Sequence, residues 1–321
     1  MENKISKVLV VGGAGYIGGS VTDILIKKNI PFSVYDNLLY EHQYLKPVDF
    51  IYGDVRDREM LKKILPNYSH VIWLAAIVGD GACNIRPDLT MEVNQNSVKW
   101  LSENYGGRII FMSTCSVYGQ NQHGVDEESK LNPLSMYANT KMESEKYLIN
   151  KNSVIFRLGT VFGLSDTYSR IRMDLVVNYM TARAVTSGKL SIFGGNQWRP
   201  LVHVRNVAEA IANSLEMNIN GTYNIATFNY EIKGLGKEIG DILGCQINYV
   251  DTKFEDARNY HAKTDKAEKA GLLNFKKIFS IRDGVEEIGD LIKSKKVKYS
   301  DEDIYCNERH IANLHKNGQF K

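Results

Sequence analysis

The sequence predicts an α/β protein with a doubly wound parallel sheet. Short apolar runs rich in β-branched residues alternate with amphipathic stretches through the first half of the chain. This alternation indicates buried parallel strands with helices on both faces of the sheet. The predicted strands are Lys7–Val11, Phe32–Tyr35, Asp49–Tyr52, His70–Leu74, Arg108–Met112 and Val154–Leu158.

The first predicted helix connects the first two strands. Ile17, Val21, Ile24 and Leu25 recur at helical spacing before the helix breaker Asn29-Ile30-Pro31. An apolar stripe of this kind packs a helix against a sheet. The unit is therefore strand, helix, strand, as in a Rossmann sheet.

A smaller C-terminal α/β lobe is expected to carry the substrate. After Gly163 the alternation weakens, with a helical run at 174–187 and a short strand at 190–193. We expect residues 1–163 to form the first domain, with parts of 197–226 returning to it. Residues 164–196 and 227–321 are then the substrate lobe, and the Lys-rich tail from Lys293 onward is expected to be a solvated end.

Composition narrows the classes of function. The 321 residues carry 40 Lys+Arg against 37 Asp+Glu, a net charge of +3 that gives no broad basic field for nucleic acid or a membrane surface. The four cysteines form no CxxC pair, so we expect reduced thiols and no metal site. There is no signal-peptide pattern and no apolar run long enough to span a membrane, so a cytoplasmic protein is expected.

A glycine-rich turn follows the first predicted strand. Val8–Val11 continues into Gly12-Gly-Ala-Gly-Tyr-Ile-Gly18, a strand, a turn and a helix start in order. Glycines here let backbone amides approach a pyrophosphate, whose charge the helix N-terminus also favours. Two registers fit, with Gly12 or Gly13 as the first glycine before Gly15 and Gly18. The alternative is a tight turn that holds no ligand.

Asp36 ends the second predicted strand, some twenty residues after the glycines as a dinucleotide site requires. A carboxylate there accepts both ribose hydroxyls of NAD and repels the 2′-phosphate of NADP. We therefore expect NAD as the cofactor. The alternative is that Asp36 only forms a turn.

Tyr137 and Lys141 stand four residues apart on a predicted helix that begins near Ser135, so they share one face. Alcohol oxidation needs a base, and a free phenol with a pKa near 10 is too weakly ionised. A neighbouring ammonium and a positive nicotinamide ring would lower that pKa. The pair is common on solvated helices, but its position after the fifth strand, with Thr114 ahead of it, favours catalysis.

Together these residues resemble the extended short-chain dehydrogenase/reductase family, in particular its nucleotide-sugar epimerases and dehydratases, over nearly the whole chain. The glycine turn is similar to the family's phosphate loop, Asp36-Asn37 to its ribose acid and Asp54-Val55 to its adenine contact. The resemblance implies that NAD is bound by Gly12, Gly15, Tyr16, Ile17, Gly18, Asp36, Asn37, Asp54, Val55, Leu74, Ala75, Ala76, Asn94, Tyr137 and Lys141.

The resemblance also implies the catalytic and substrate-binding residues. Thr114 takes the catalytic Ser/Thr position, Tyr137 is the base and Lys141 is its partner. Arg199 begins a stretch similar to the family's Arg-x-x-x-x-Val-x-Asp, whose Arg meets the substrate pyrophosphate, and the alternative for Arg199 and Arg258 is a surface ion pair. The implied substrate-binding residues are Val78, Thr114, Cys115, Ser116, Thr160, Arg199 and Arg258.

The chain departs from the family at several positions. Cys115 and Ser116 replace the Asp-Glu pair of the 4,6-dehydratases, and neither can supply that acid and base. Thr160 stands where the family has Asn, and Asn206 replaces the usual Asp, which affects the expected sugar contacts. The loop 77–83 is expected to cover the sugar.

The sequence also resembles bacterial capsule-pathway enzymes that oxidise C4 of a GDP-linked heptose. This implies an NAD-dependent dehydrogenase that converts a GDP- or UDP-linked sugar to its 4-keto form. Two alternatives stay open: a 4-epimerase, and a dinucleotide-sensing protein without turnover. The family's habit of pairing the helices near 91–103 and 135–150 implies a homodimer.

Overall fold

In a computed structural model, the structure describes residues 5–41, 43–250 and 258–320. Residues 1–4 and 42 of the predicted first domain, and 251–257 and 321 of the predicted substrate lobe, lie outside the described residues.

The strands follow the predicted apolar runs. Each predicted strand is present, with ends that differ by at most two residues. The strands are Val8–Val11 (β1), Phe32–Asp36 (β2), Phe50–Tyr52 (β3), His70–Trp73 (β4), Arg108–Thr114 (β5), Gln120–Val125 (β6), Ser153–Leu158 (β7), Thr160–Phe162 (β8), Lys189–Phe193 (β9), Trp198–His203 (β10), Gly221–Ile225 (β11), Phe228–Glu231 (β12), Gln246–Val250 (β13) and Asn259–Ala262 (β14).

The helices lie between these strands and at the C-terminal end. They are Tyr16–Lys27 (α1), Arg58–Ile64 (α2), Asp80–Ile85 (α3), Pro87–Met91 (α4), Ser97–Asn104 (α5), Met136–Leu148 (α6), Val176–Ser187 (α7), Val204–Glu216 (α8), Ile232–Leu243 (α9), Asp265–Lys269 (α10), Ile281–Lys293 (α11) and Asn307–Lys316 (α12). A π-helical segment, Glu92–Asn96, joins α4 to α5.

The main sheet has seven parallel strands in the spatial order β11-β7-β5-β4-β1-β2-β3. The chain runs from β1 outward through β2 and β3 and then returns to β4 on the other side of β1. The order therefore reverses between β1 and β4, and ligands bind at the carboxyl ends of strands at such a reversal. The predicted doubly wound α/β fold is confirmed.

Apolar residues on both faces hold the sheet between its helices. On β1, Val8 and Val10 pack with α1 and α8 on one face, whereas Leu9 and Val11 pack with the helices of the other face. All four side chains are fully buried. Side chains alternate between faces along a strand, so a continuous apolar strand requires helices on both sides.

The C-terminal lobe is built from smaller sheets. A three-stranded sheet has the order β12-β10-β8, and β13 pairs with β9 in a second, two-stranded sheet. Helices α7, α9 and α11 bury an apolar cluster that includes Phe162, Leu235 and Val285. This lobe faces the carboxyl ends of the main sheet's strands, where the two lobes together enclose a cavity.

The end of the chain corrects one expectation. The tail from Lys293 is not simply a solvated end, because α12 folds back onto α3 with Ile311 fully buried. Ile311 packs in a cluster with Ile77, Ala82 and Cys83. The high lysine content of this tail led us to overlook the amphipathic helix α12. Within the described ranges, no helix has the length and apolar character needed to cross a membrane.

Candidate active site

A cavity of about 1110 Å³ lies where the two lobes meet. Pockets for a single small ligand have volumes of roughly 300–1,000 Å³, so this cavity has room for a dinucleotide and a second ligand. The predicted site residues that line it are Gly12, Gly15, Tyr16, Ile17, Gly18, Asp36, Asn37, Val55, Leu74, Ala75, Ala76, Val78, Thr114, Tyr137, Lys141, Thr160, Arg199 and Arg258.

The glycine turn lies between β1 and α1 and has no space for side chains. Gly12 has φ +80°, and a Cβ there would lie 2.4 Å from the Ala75 backbone nitrogen. A Cβ at Gly18 would lie 2.4 Å from the Gly13 carbonyl oxygen. The turn therefore presents bare backbone and the N-terminus of α1, which suits a pyrophosphate.

Asp36 both shapes this turn and faces the cavity. Its carboxylate accepts hydrogen bonds from the Ala14 N–H at 3.1 Å and the Leu38 N–H at 2.8 Å. Burial nevertheless raises its pKa above the usual value. A buried carboxylate gains from further donors, and ribose hydroxyls would provide them.

Asp54 supports the site from behind rather than lining the cavity. Its carboxylate accepts a hydrogen bond from the Asn37 side-chain amide at 2.9 Å and pairs with Arg56 at 2.9 Å. These bonds hold the pKa of Asp54 below its usual value. Asp54 therefore positions Asn37, while Val55 next to it lines the cavity.

Asn94 also acts on the protein instead of the cavity. Its side chain is buried, accepts from the Ile77 N–H and donates to the Ile77 carbonyl, both at 2.8 Å. This pair of bonds fixes the chain just after Leu74-Ala75-Ala76, which line the cavity. Asn94 thus positions the segment that follows β4, and its contact with the cofactor stays a prediction.

Thr114, Tyr137 and Lys141 meet in the same part of the cavity. Thr114 ends β5, and Ser135 caps α6 by accepting from the Ala138 N–H at 3.2 Å, which begins the helix that carries Tyr137 and Lys141. Lys141 is buried, donates to the Met112 carbonyl at 2.8 Å and lies 4.7 Å from the centre of the Phe111 ring. Burial lowers the pKa of Lys141 to about 8.

Burial is the main influence on the pKa of the Tyr137 phenol. Burial raises its pKa, and a positive Arg172 and a hydrogen bond from Thr114 oppose this shift only in part. The protein neighbours alone therefore do not ionise Tyr137. Lys141 was expected to lower this pKa, but the cost of burying a phenolate dominates.

Cys115 and Ser116 do not line the cavity, contrary to the sequence expectation. Cys115 is 1% exposed in an apolar cluster, with its thiol directed at the Arg157 carbonyl at 3.3 Å, and burial raises its pKa. The Ser116 N–H donates to the Thr114 hydroxyl oxygen at 3.1 Å. The short helical turn after β5 directs both side chains into the protein. Ser116 thus orients Thr114.

The two predicted phosphate-binding arginines lie next to each other. Arg199 on β10 is buried and donates to the carbonyls of Trp198 and Arg258. Arg258 is half-buried and pairs with Asp80 at 3.4 Å. Arg199 therefore supports the backbone of Arg258 at the cavity wall, and neither residue is only a surface ion pair.

A second group of residues in the cavity wall was not predicted from the sequence. Arg170 and Arg172 line the cavity from the segment before α7, and Cys306, Asn307 and Glu308 line it from the start of α12. The alternating charges Arg170, Arg172 and Asp174 could have indicated a polar segment at this wall. The spacing of Ile304, Ile311 and Leu314 was a signal for α12.

Comparisons with known proteins agree with this geometry. The chain is 27% identical over 306 residues to a putative UDP-glucose 4-epimerase of Methanocaldococcus jannaschii, which covers 89% of this chain and 98% of the relative. The structure is similar to a UDP-glucose 4-epimerase with UDP-glucose from Thermotoga maritima, with a TM-score of 0.78, 25% identity and coverage of 90% and 99%.

A second solved structure contains the cofactor. It is a UDP-glucuronic acid 4-epimerase from Bacillus cereus in complex with UDP-glucuronic acid and NAD, with a TM-score of 0.75, 25% identity and coverage of 90% and 99%. A family model described as the NAD dependent epimerase/dehydratase family matches residues 8–226. The chain therefore belongs to this family of NAD-dependent enzymes that act on nucleotide sugars.

Proposed function

We propose that the protein is a nucleotide-sugar 4-epimerase. The observation that carries the proposal is that Thr114, Tyr137 and Lys141 share one cavity with the glycine turn and Asp36. From the sequence, a dehydrogenase acting on a GDP-linked heptose was the favoured interpretation, and a 4-epimerase was the alternative. The relatives favour that alternative, because those compared above are named 4-epimerases.

Tyr137 is the group that moves the proton. NAD, when bound, supplies a reversible two-electron acceptor for C4 and a positive ring that favours the phenolate. Tyr137 takes the proton from the C4 hydroxyl as the ketone forms and returns it to the same oxygen when C4 is reduced on its other face. Thr114 donates a hydrogen bond to the phenolate oxygen, which favours the ionised form of Tyr137.

Lys141 contributes positive charge one helical turn from Tyr137. With a pKa of about 8, its ammonium is mostly charged at neutral pH. Its hydrogen bond to the Met112 carbonyl holds the ammonium against strand β5. We propose that this charge favours the phenolate alongside Arg172, the positive group that lowers the pKa of Tyr137.

Water elimination is disfavoured by the residues that follow Thr114. A dehydratase needs an acid and a base there, but Cys115 is a buried thiol and Ser116 bonds to Thr114 and approaches Tyr260 at 3.5 Å. This supports epimerisation over dehydration. A sensor without turnover would need neither Tyr137 nor Lys141 in the cavity.

Product analysis tests the proposal. Purified protein is incubated with NAD and, in turn, UDP-glucose, UDP-N-acetylglucosamine, GDP-mannose and a GDP-linked heptose, and the sugars are identified by NMR. We expect a C4 epimer of one substrate with no net NADH. A 4-keto product formed with one NADH per sugar would show a dehydrogenase instead, and a 4-keto-6-deoxy product would show a dehydratase.

We further propose that the protein forms a dimer through α5 and α6. These helices lie side by side, and each carries a partly exposed aromatic residue, Trp100 on α5 and Tyr147 on α6. Two such pairs can form a four-helix interface. Sedimentation velocity should show a dimer that Trp100→Glu converts to a monomer. Monomer in the unmodified protein would contradict the proposal.

A further inference from the structure

The C-terminal segment, residues 303–320, forms part of the cavity wall near the catalytic residues. Its helix α12 is anchored by Ile311, which is fully buried against Ile77, Ala82 and Cys83. Tyr137 packs against the same apolar cluster. The start of α12 therefore lies on the Tyr137 side of the cavity, where the sugar is expected.

Polar contacts fix the position of α12 around Asn307. The Asn307 N–H donates to Asp174 at 2.8 Å, and its side-chain amide donates to the Val78 carbonyl at 2.8 Å. The Arg170 guanidinium donates to the Asn307 side-chain oxygen. His310, one turn later, is 2.9 Å from the Leu39 carbonyl. The neighbouring residue Glu308 is thus held in place by its backbone.

Glu308 directs its carboxylate at Gly81 in the first turn of α3, and Gly81 belongs to the segment 77–83 that was expected to be a loop over the sugar. It lines the cavity, and a Cβ on Gly81 would lie only 2.1 Å from one Glu308 carboxylate oxygen. Since Glu308 and Ile311 are three residues apart, they share a helix face. The carboxylate therefore lies beside the apolar cluster on which Tyr137 packs.

Most other charges at this wall have partners. Asp80 pairs with Arg258 at 3.4 Å, and Asp174 pairs with Arg172 at 2.6 Å. Arg170 is buried, donates to the Ile304 carbonyl and stacks on Tyr40 at 4.5 Å. Glu308, in contrast, has no ion pair within the part of the chain that the structure describes.

We propose that Glu308 is a specificity-determining residue that selects sugars with neutral hydroxyl groups and disfavours sugars that carry a carboxylate. This inference rests on the proposed function and narrows its substrate class. A carboxylate accepts charge-assisted hydrogen bonds from sugar hydroxyls. A uronate would instead place a second negative charge near it, and such repulsion lowers affinity for the wrong ligand.

Glu308 is exposed, and this sets the expected size of its effect on substrate preference. Solvent screens exposed charges, so their interactions are weaker than those of buried pairs. We expect Glu308→Gln to raise the affinity for a uronate relative to the neutral sugar by about twofold to fivefold. Glu308→Lys should raise it further.

Calorimetric binding to the NAD-loaded protein tests Glu308 without requiring turnover. UDP-glucose is compared with UDP-glucuronate, and GDP-mannose with GDP-mannuronate, on the unmodified protein, on Glu308→Gln and on Glu308→Lys. Glu302→Gln is the control, because Glu302 is exposed and outside the cavity lining. We expect the unmodified protein and the control to prefer the neutral sugar of the pair that binds, and both Glu308 variants to reduce this preference.

The outcomes separate the two proposals. If the preference is the same in Glu308→Gln and in the unmodified protein, Glu308 does not determine specificity, whatever the reaction is. If the unmodified protein prefers the uronate, the inference is also wrong. If none of the four nucleotide sugars binds, this inference is overturned. A C4 epimer of another sugar in the product assay would then leave the proposed function standing.

Discussion

Burial shifts the pKa values of Tyr137 and Lys141 in opposite directions. Burial raises the pKa of the phenol and lowers the pKa of the ammonium, because both neutral forms are favoured away from water. The spacing of the two residues on α6 was readable from the sequence. The depth of the pair was not, since it depends on α3 packing against α6 and on α12 packing against α3.

The buried ammonium of Lys141 makes stability depend on pH. Its pKa is about 8 in the folded protein, against 10.5 ordinarily, so the unfolded chain binds more protons between these values. Stability from this group therefore rises with pH across that window. Relative to Lys141→Met, the unmodified protein should gain about 2 kcal/mol between pH 7 and 9.5, at about 1.4 kcal/mol per pH unit.

Urea unfolding at the two pH values measures this difference. Lys146→Met is the control, because Lys146 lies on the same helix but is exposed. The difference in unfolding free energy between that control and the unmodified protein should stay constant with pH. A Lys141→Met difference that also stays constant would show that Lys141 is not buried as a titrating amine.

Residue types alone could not reveal the direction of each side chain. Asp36 was assigned to the cavity and lies there, but it also bonds the Ala14 and Leu38 amides. Cys115 was assigned to the substrate, yet the turn after β5 buries it. Adjacent positions after a strand point in different directions, and the turn geometry that decides this is not encoded in the spacing.

At the scale of secondary-structure elements, regular hydrophobic patterns in the sequence predicted the strands, whereas segments without such a pattern could not be placed. The strands of the main sheet followed from continuous apolar runs, because a strand covered on both faces needs such a run. The segment that carries Arg170 and Arg172 has no regular period. Its place at the cavity is set by long-range contacts, such as the bond of the Arg170 N–H to Glu41 at 2.8 Å.

The glycine turn between β1 and α1 should be specifically sensitive to a methyl group. Gly12→Ala would strain a φ of +80° and place its Cβ 2.4 Å from the Ala75 nitrogen. Because the turn must move away from β4, we expect NAD affinity to fall by roughly tenfold or more. Fluorescence titration with NAD measures this loss.

Gly188→Ala is the matched control for this change. Gly188 also has a positive φ, +66°, but a Cβ there meets nothing within 4 Å. It should cost about 1 kcal/mol of stability, because a residue with a Cβ is strained in the left-handed region, and it should leave NAD affinity intact. Equal NAD affinities in the two variants would show that the turn does not hold the cofactor.

At the scale of the whole molecule, the cavity depends on both lobes. Tyr16 on α1 donates to the Gly163 carbonyl at 2.7 Å, which joins the cofactor turn to the start of the second lobe. Asn307 in turn links α12 to Val78 and Asp174. The sequence indicated two lobes, but the closure of the site by the last helix depended on contacts more than 200 residues apart, such as the Asn307–Val78 bond.

The kinetics of Tyr137→Phe test the central claim most directly, once the product assay has identified the substrate. This change removes one oxygen and keeps the ring packed in its apolar cluster. We predict that kcat for C4 epimerisation falls by about 10²–10⁴ with unchanged NAD affinity. Tyr147→Phe should change neither, because Tyr147 lies on α6 outside the cavity lining. Turnover of Tyr137→Phe at the unmodified rate would contradict the account.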